Sequence, residues 1–324
     1  MKRIIIVSAL LCVCVATLAQ NAPKRWAVVD FSANFMREDP DYAAELGDQA
    51  LMGTVVEILG EDSYWKQIVS PEPYKAWVND MGLVEMSEAE KDAYIAAPKY
   101  ICTANVSHIW MEPSVGSDQL SEFLAGDLVL KCLSDKGKPI SRKGFLQVSL
   151  PSGKQGWVLK GEVEDFASWT ASRTATPDDI IETAMRFLGV PYMWGGTSIK
   201  NVDCSGLSRS VYFLNGILLP RNASQQVKVG EEVLPDEEHL QRGDLLFFGT
   251  PATAEKGERI THVGIYIGEG MYIHSSQVVR INSIDPASAR YSGRSPLRAR
   301  RIIGQADAGT GVVSIARSPF YFKQ

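Results

Sequence analysis

Apolar and polar residues alternate in short runs through the first half of the chain, separated by Gly, Pro, Ser and Asp turns. Alternation with period two predicts half-buried β-strands. The runs come round twice. Ala33-Asn34-Phe35-Met36-Arg37-Glu38-Asp39-Pro40 parallels Val106-Ser107-His108-Ile109-Trp110-Met111-Glu112-Pro113, and Gly53-Thr54-Val55-Val56 parallels Gly126-Asp127-Leu128-Val129. Tyr74-Lys75-Ala76-Trp77-Val78 likewise parallels Lys154-Gln155-Gly156-Trp157-Val158. Each unit runs about 75 residues, the size of a small β-barrel. Residues 87–97 read as a short polar helix linking the two.

After residue 173 the period changes. Thr176-Pro177-Asp178-Asp179 supplies an N-cap, a proline at the first helical position and two acids in the first turn. Ile181, Ala184, Met185 and Leu188 then form one apolar face, closed by Gly189. A second helix is predicted from Asp203 as N-cap, through Leu207, Val211 and Leu214, to the stop signal Asn215-Gly216. Strands dominate residues 244–304. Helices first and strands afterwards argue an α+β domain with helices packed on an antiparallel sheet.

This arrangement gives three residues a chemical meaning. Cys204 falls in the first turn of the second helix, where unsatisfied N–H groups favour an anion and can lower a thiol pKa. His262 lies in the alternating run 261–268 and His274 in the run 271–276, with Gly268-Glu269-Gly270 between them, a hairpin signature. The two histidines are 12 positions apart. An even pairing register would put both imidazoles on one side, and a one-residue slip on opposite faces. Nucleophile, base and orienting group is the arrangement of covalent cysteine catalysis. The same three residues could hold zinc with a water in the fourth position. Their spacing is unlike a compact zinc motif, so neither metal nor cofactor is expected.

Residues 1–19 read as a secretory leader: Lys2-Arg3, an apolar stretch from Ile4 to Ala16, and small residues Thr17-Leu18-Ala19 before cleavage ahead of Gln20. It is short for a membrane span. Export to the periplasm or cell envelope is therefore expected. Leu11 and Val13 before Cys12 and Cys14 speak against a lipid anchor. The 33 basic residues, less Lys2 and Arg3, leave 31 against 38 acidic ones, about −7, a balance that argues against nucleic acid as a partner. Three cysteines remain, Cys102, Cys132 and Cys204. Cys102 and Cys132 could pair, leaving an odd thiol free for catalysis.

Five motifs carry a resemblance. Gly189-Val190-Pro191-Tyr192-Met193-Trp194-Gly195-Gly196, Asp203-Cys204-Ser205-Gly206-Leu207, Arg221-Asn222-Ala223-Ser224-Gln225-Gln226, Arg242-Gly243-Asp244-Leu245-Leu246-Phe247-Phe248 and His262-Val263-Gly264-Ile265-Tyr266-Ile267-Gly268 resemble, in order and spacing, the NlpC-type bacterial cell-wall cysteine peptidases. The repeated β units resemble bacterial SH3-like domains. The resemblance implies a multidomain chain: leader 1–19, SH3-like domains 20–95 and 96–170, a papain-like α+β peptidase domain 171–310, and a tail 311–324. It implies Cys204 as nucleophile, His262 as base and His274 as orienting residue, with Tyr192 near the oxyanion.

Members with two SH3-like domains act as γ-D-glutamyl-L-diamino-acid endopeptidases on free wall peptides and require an unblocked L-Ala amine. By that likeness Glu45, Tyr74 and Asp203 meet the amine, while Ser205, Asn222 and Ala223 contact the peptide. Asn222 departs from the usual Asp at its position. Structural alternatives stand beside each role: a solvated Glu45, a packed Tyr74 or Tyr192, and a plain helix cap at Asp203. A monomer is expected. The rival functions are a wall-binding module without turnover, a hydrolase of intact crosslinked wall and an acyl transferase; lysine and diaminopimelate both remain open as the residue after D-Glu.

Overall fold

Two β units of identical strand order precede the helices. The computed structural model describes residues 23–323, so the leader expected at 1–19 lies outside them. Residues 25–86 form a seven-stranded antiparallel sheet ordered 3-2-6-5-4-1-7 along the sequence. Residues 99–165 form an eight-stranded sheet. Once the two-residue strand Ser141–Arg142 is set aside, its order is again 3-2-6-5-4-1-7. The internal repeat read from the sequence is thus a repeat of topology. Each unit closes on its own apolar interior: Val29, Met36, Val56 and Ile68 in the first, Ile109, Phe123, Val129 and Val148 in the second. Helix α1 (Glu88–Ala96) joins them, held at its start by a reciprocal Ser87–Glu90 capping box.

Helix α2 (Phe166–Ser172) leads into the C-terminal part, where α3 (Pro177–Met185) starts at Thr176 and α4 (Cys204–Phe213) at Asp203, as the capping signals predict. Six antiparallel strands follow: Glu231–Val233, Arg298–Arg301, Leu245–Thr250, Arg259–Gly268, Met271–Ser276 and Val278–Ser283, in that order across the sheet. Helix α4 packs on the strands Arg259–Gly268 and Met271–Ser276. This is the expected α+β layering. Among the described residues no helix is long and apolar enough to cross a membrane.

The two β units attach to this body differently. The second is welded by apolar packing, with Ile101, Leu124 and Leu128 continuous with the core around Val211, Phe247 and Ile265. Burying each such aliphatic side chain is worth roughly 1.5–3 kcal/mol. The first docks through hydrogen bonds and ion pairs described below. Residues 311–323, expected as a tail, are packed into the body: Val313 pairs with Leu218, Tyr321 is buried against Phe166 and Phe213, and Phe320 meets Trp26 of the first unit. Cys102 and Cys132 are both free, so the pairing considered above does not form. The Cys102 sulfur instead lies 3.5 Å from the carbonyls of Ala104 and Phe123, inside the second unit.

Candidate active site

Cys204 opens α4. The helix begins there because the Asp203 carboxylate accepts from the Gly206 N–H at 2.7 Å. Only glycine fits at Gly206, since a Cβ would collide with the carbonyl oxygen of Gly196. Asp203 is otherwise fully occupied. Its two oxygens accept five donors: the Gly195 and Gly206 N–H groups, the Ser205 hydroxyl and both terminal nitrogens of Arg221. Helix α4 packs on the strand that carries His262, and the backbone N–H groups of Val263 and Ser205 lie close enough to the Cys204 sulfur to favour its thiolate.

The hairpin resolves the question of register. Ile265 pairs with Ile273 and Tyr266 with Tyr272, an even register, so His262 and His274 project to one side. His262 Nε2 is 2.7 Å from His274 Nδ1, and His274 Nε2 is 2.9 Å from the Asn282 side-chain oxygen. The Asn282 amide nitrogen donates to the Arg290 carbonyl, which fixes the amide's orientation and leaves its oxygen to accept. Proton positions then follow along the line. His274 carries its hydrogen on Nε2 and accepts at Nδ1; His262 donates from Nε2, leaving the Nδ1 lone pair to take a proton. Asn282 was not singled out from the sequence. It sits on the adjoining strand opposite Tyr272, diagonal to His274.

Charge at the pair is disfavoured on both sides. Burial, then the neighbouring His274, holds His262 down to about 3. Burial also lowers His274. Burial, then the Asp203 carboxylate, pushes the Cys204 thiol up to about 11. The thiol expected to be lowered by the helix start is therefore raised, because desolvation and Asp203 outweigh the N–H groups around the sulfur. The resting pair is a neutral thiol and a neutral imidazole, suited to proton transfer during attack rather than before it.

A cleft of about 900 Å³ contains the pair. Glu38, Glu45 and Tyr74 of the first β unit wall one part, and Lys228, Glu258 and Arg259 another. Tyr192, Asp203, Ser205, Asn222 and Ala223 also line it, so the residues proposed from the sequence converge on one cavity except His274, which is buried behind His262. Burial and then the nearby Cys204 raise the Tyr192 hydroxyl to about 12, keeping it a hydrogen-bond donor. Ser205 is buried and bonded to Asp203 and Arg221, whereas Asn222 is exposed. The carboxylate beside Tyr74 is Glu38: the Tyr74 hydroxyl donates to it at 2.5 Å. The exposed Glu45 lines the cleft without touching Tyr74 in this way. Gly47 lies beneath the Glu38–Tyr74 pair, where any Cβ would strike both.

The same first unit reaches under Cys204. Asp48, fully buried, pairs with Arg209 of α4 at 2.6 Å and with Arg221 at 3.0 Å. Arg209 also pairs with Glu72 at 2.8 Å, and Arg221 completes the chain to Asp203. The Thr197 N–H donates to Gln49, and its hydroxyl to Asp48, across the same contact. Three carboxylates thus face two guanidinium groups below the cleft.

Residues 189–301 match the NlpC/P60 family. A γ-D-glutamyl-L-lysine dipeptidyl-peptidase of Bacillus cereus (strain ATCC 10987 / NRS 248) is 32% identical over 253 residues, 75% of this chain and 71% of that one. The chain belongs to the NlpC/P60 family. Dipeptidyl-peptidase 6 of Lysinibacillus sphaericus is 28% identical over 274 residues, covering 82% and 93% of the two chains. The solved structure of an NlpC/P60 family protein from Bacillus cereus ATCC 10987 matches with a TM-score of 0.70 at 25% identity, covering 86% of this chain and 99% of that one. This NlpC/P60 protein is a cysteine peptidase, and its likeness to these relatives runs through the β units as well as the peptidase domain.

Proposed function

We propose that this peptidase hydrolyses the γ-D-glutamyl-L-diamino-acid bond of cell-wall peptides carrying a free N-terminal L-Ala, releasing L-Ala-γ-D-Glu. One observation supports this most: the Glu38–Tyr74 pair faces the same cleft as Cys204 and His262, giving an anionic pocket short of the nucleophile. A terminal ammonium there meets the Glu38 carboxylate and the Tyr74 oxygen. The excess negative charge of Asp48, Glu72 and Asp203 over Arg209 and Arg221 favours a cation at that end. Asp203 contributes its charge rather than a vacant lone pair, since five donors already occupy it.

In the reaction Cys204 Sγ attacks the γ-carbonyl while His262 Nδ1 takes the thiol proton. The oxyanion is met by the Cys204 N–H at the helix start and by the Tyr192 hydroxyl. The C–N bond breaks as His262 returns the proton to the leaving amine, and a thioester remains. Water, deprotonated by His262, then releases the dipeptide and the thiol. His274 holds His262 in register for both steps. Ala223 and Asn222 border the bound D-Glu, and Asn222 offers an amide where the usual carboxylate would repel the D-Glu carboxyl. The two β units are read as SH3-like domains, the first building the amine pocket. The leader at 1–19 places this work outside the cytoplasm, with the protein a monomer.

Mass spectrometry of L-Ala-γ-D-Glu-diaminopimelate after incubation tests the reading. Wild type is expected to release L-Ala-D-Glu, Cys204→Ala to release none, and the N-acetylated peptide to survive. Equal cutting of the acetylated peptide would favour a hydrolase of intact wall. No cutting of either peptide would leave a binding module.

A further inference from the structure

Three consecutive residues of the first β unit join the amine pocket to the residue before the nucleophile. The carbonyl oxygen of Leu46 lies against Gly195, where it leaves no room for a Cβ, and the Gly195 N–H donates to Asp203 at 3.0 Å. Gly47 underlies the Glu38–Tyr74 pair. Asp48 pairs with Arg221, which in turn holds Asp203. This stretch of strand fixes the pocket against the carboxylate that precedes Cys204 in the chain. Glu38, Tyr74, Asp203 and Cys204 all face one cleft.

That carboxylate works against attack. Burial, and after it Asp203, hold the Cys204 thiol up at about 11, so the developing thiolate meets a like charge one residue away. Arg221 favours the thiolate, but it is shared with Asp48. The buried set of Asp48, Glu72 and Asp203 against Arg209 and Arg221 leaves one negative charge over. Glu38 adds another from the pocket. On the other sides of the sulfur, His262 and Tyr192 are both kept neutral by burial. Lys228 and Arg259 stand elsewhere on the cleft wall, with Glu258 among them. The amine end of the resting site is therefore anionic and lacks a cation of its own to offset Asp203.

The substrate brings one. About seven bonds separate the ammonium nitrogen of L-Ala-γ-D-Glu from its γ-carbonyl carbon, which puts the charge about 8–10 Å from the attacking sulfur. At that range, in a cleft partly closed to water, a unit charge moves a thiol by about one pH unit. We propose that the substrate's terminal ammonium takes part in catalysis: seated between Glu38 and Asp203, it offsets the charge that opposes a thiolate at Cys204, so the peptide switches on the nucleophile that cuts it. The proposal rests on the γ-D-glutamyl peptidase reading above and deepens it, because the free amine then acts on kcat as well as on affinity. Between substrates the protonated thiol is spared alkylation and oxidation.

The test uses a ligand that fills the amine pocket and stops short of Cys204. L-Alaninamide carries the ammonium. N-acetyl-L-alaninamide with equimolar ammonium chloride is its neutral counterpart at equal ionic strength. Two quantities are read at pH 7: inhibition of L-Ala-γ-D-Glu-diaminopimelate cleavage, which reports occupancy, and the rate of iodoacetamide alkylation at Cys204, which follows its thiolate fraction. Peptide mass spectrometry resolves Cys204 from the free Cys102 and Cys132, and the half-buried Cys132, outside the cleft, is the internal reference. At inhibiting concentrations L-alaninamide should raise the Cys204 rate relative to Cys132 about tenfold, while the acetylated amide leaves it within about twofold. The pH profile of alkylation should move down by about one unit with L-alaninamide alone. Inhibition without acceleration would overturn the proposal and leave the amine pocket standing. Equal acceleration by both ligands would do the same, since charge would then play no part. No cutting of the peptide, or no inhibition by L-alaninamide, would overturn the amine-pocket reading together with the proposal.

Discussion

His262 Nε2 lies 2.7 Å from His274 Nδ1, and this contact decides which nitrogen of His262 is left to accept a proton. With Nε2 engaged, Nδ1 is the nitrogen left for the thiol proton. The order extends one residue further, because the Asn282 oxygen accepts from His274 Nε2. Asn282 is therefore a positioning residue acting through two rings. Asn282→Asp should keep the acceptor but add a charge that favours protonated His274 and His262. The acidic limb of kcat/KM should then move up by about one pH unit. Asn282→Leu should lower kcat by roughly tenfold with little change in KM, because the tautomer is no longer fixed. A pH profile unchanged by either substitution would reduce Asn282 to packing.

The pH profile of the wild type follows from burial. His262 must be neutral to act as base, and with its pKa lowered to about 3 it is neutral throughout the physiological range. The Cys204 thiol, raised to about 11, stays protonated over the same range. Between pH 5 and 8 kcat/KM should be flat within about twofold. A limb centred near the ordinary imidazole value of 6.5 would show that His262 is solvated in the free enzyme.

Much of this site was legible in the sequence, for reasons that differ residue by residue. Asp203 and Cys204 follow from local capping chemistry, and the parity of positions 262 and 274 follows from period two. The repeat of the β units appeared as repeated strings, and the strand order agrees with it. Glu38 did not stand out beside Glu45, because its contact with Tyr74, 36 positions away, exists only once the strand order is set. A search for an acid in the Pro-turn motif Glu38-Asp39-Pro40 could have found it. Asn282 needed the third strand's register, and the raised thiol needed the burial, which no local pattern encodes. The last residues looked like a tail because Tyr321 and Phe320 have no periodic neighbours to mark them as core.

The assignment of the amine pocket to Glu38 separates two carboxylates that flank the same hairpin. Glu38→Gln keeps a hydrogen bond to Tyr74 but removes the charge, so KM for the free-amine peptide should rise about tenfold or more with kcat nearly preserved. Glu45→Gln, an exposed residue without that contact, should stay within about twofold. Steady-state kinetics of the two variants side by side decides the matter, and the opposite ranking would return the role to Glu45.

Arg209 is where the first β unit and the nucleophile helix are joined. It neutralises Asp48 and Glu72, both buried, from a position five residues after Cys204 on α4. Arg209→Met would leave the buried Glu72 without its cation and Asp48 with Arg221 alone, a loss of about 3–5 kcal/mol. The pair Asp48→Asn/Arg209→Met should recover part of it, because one buried charge leaves with its partner. Denaturant unfolding of the three proteins measures both effects. The activity readout carries further: because Asp48 also holds Arg221, and Arg221 holds Asp203, a shift of the first unit would reach the cap of α4. Arg209→Met should therefore lower kcat as well as stability, under conditions where it remains folded. Loss of stability with kcat intact would mean that the first unit shapes only the amine pocket and leaves the nucleophile to its own helix.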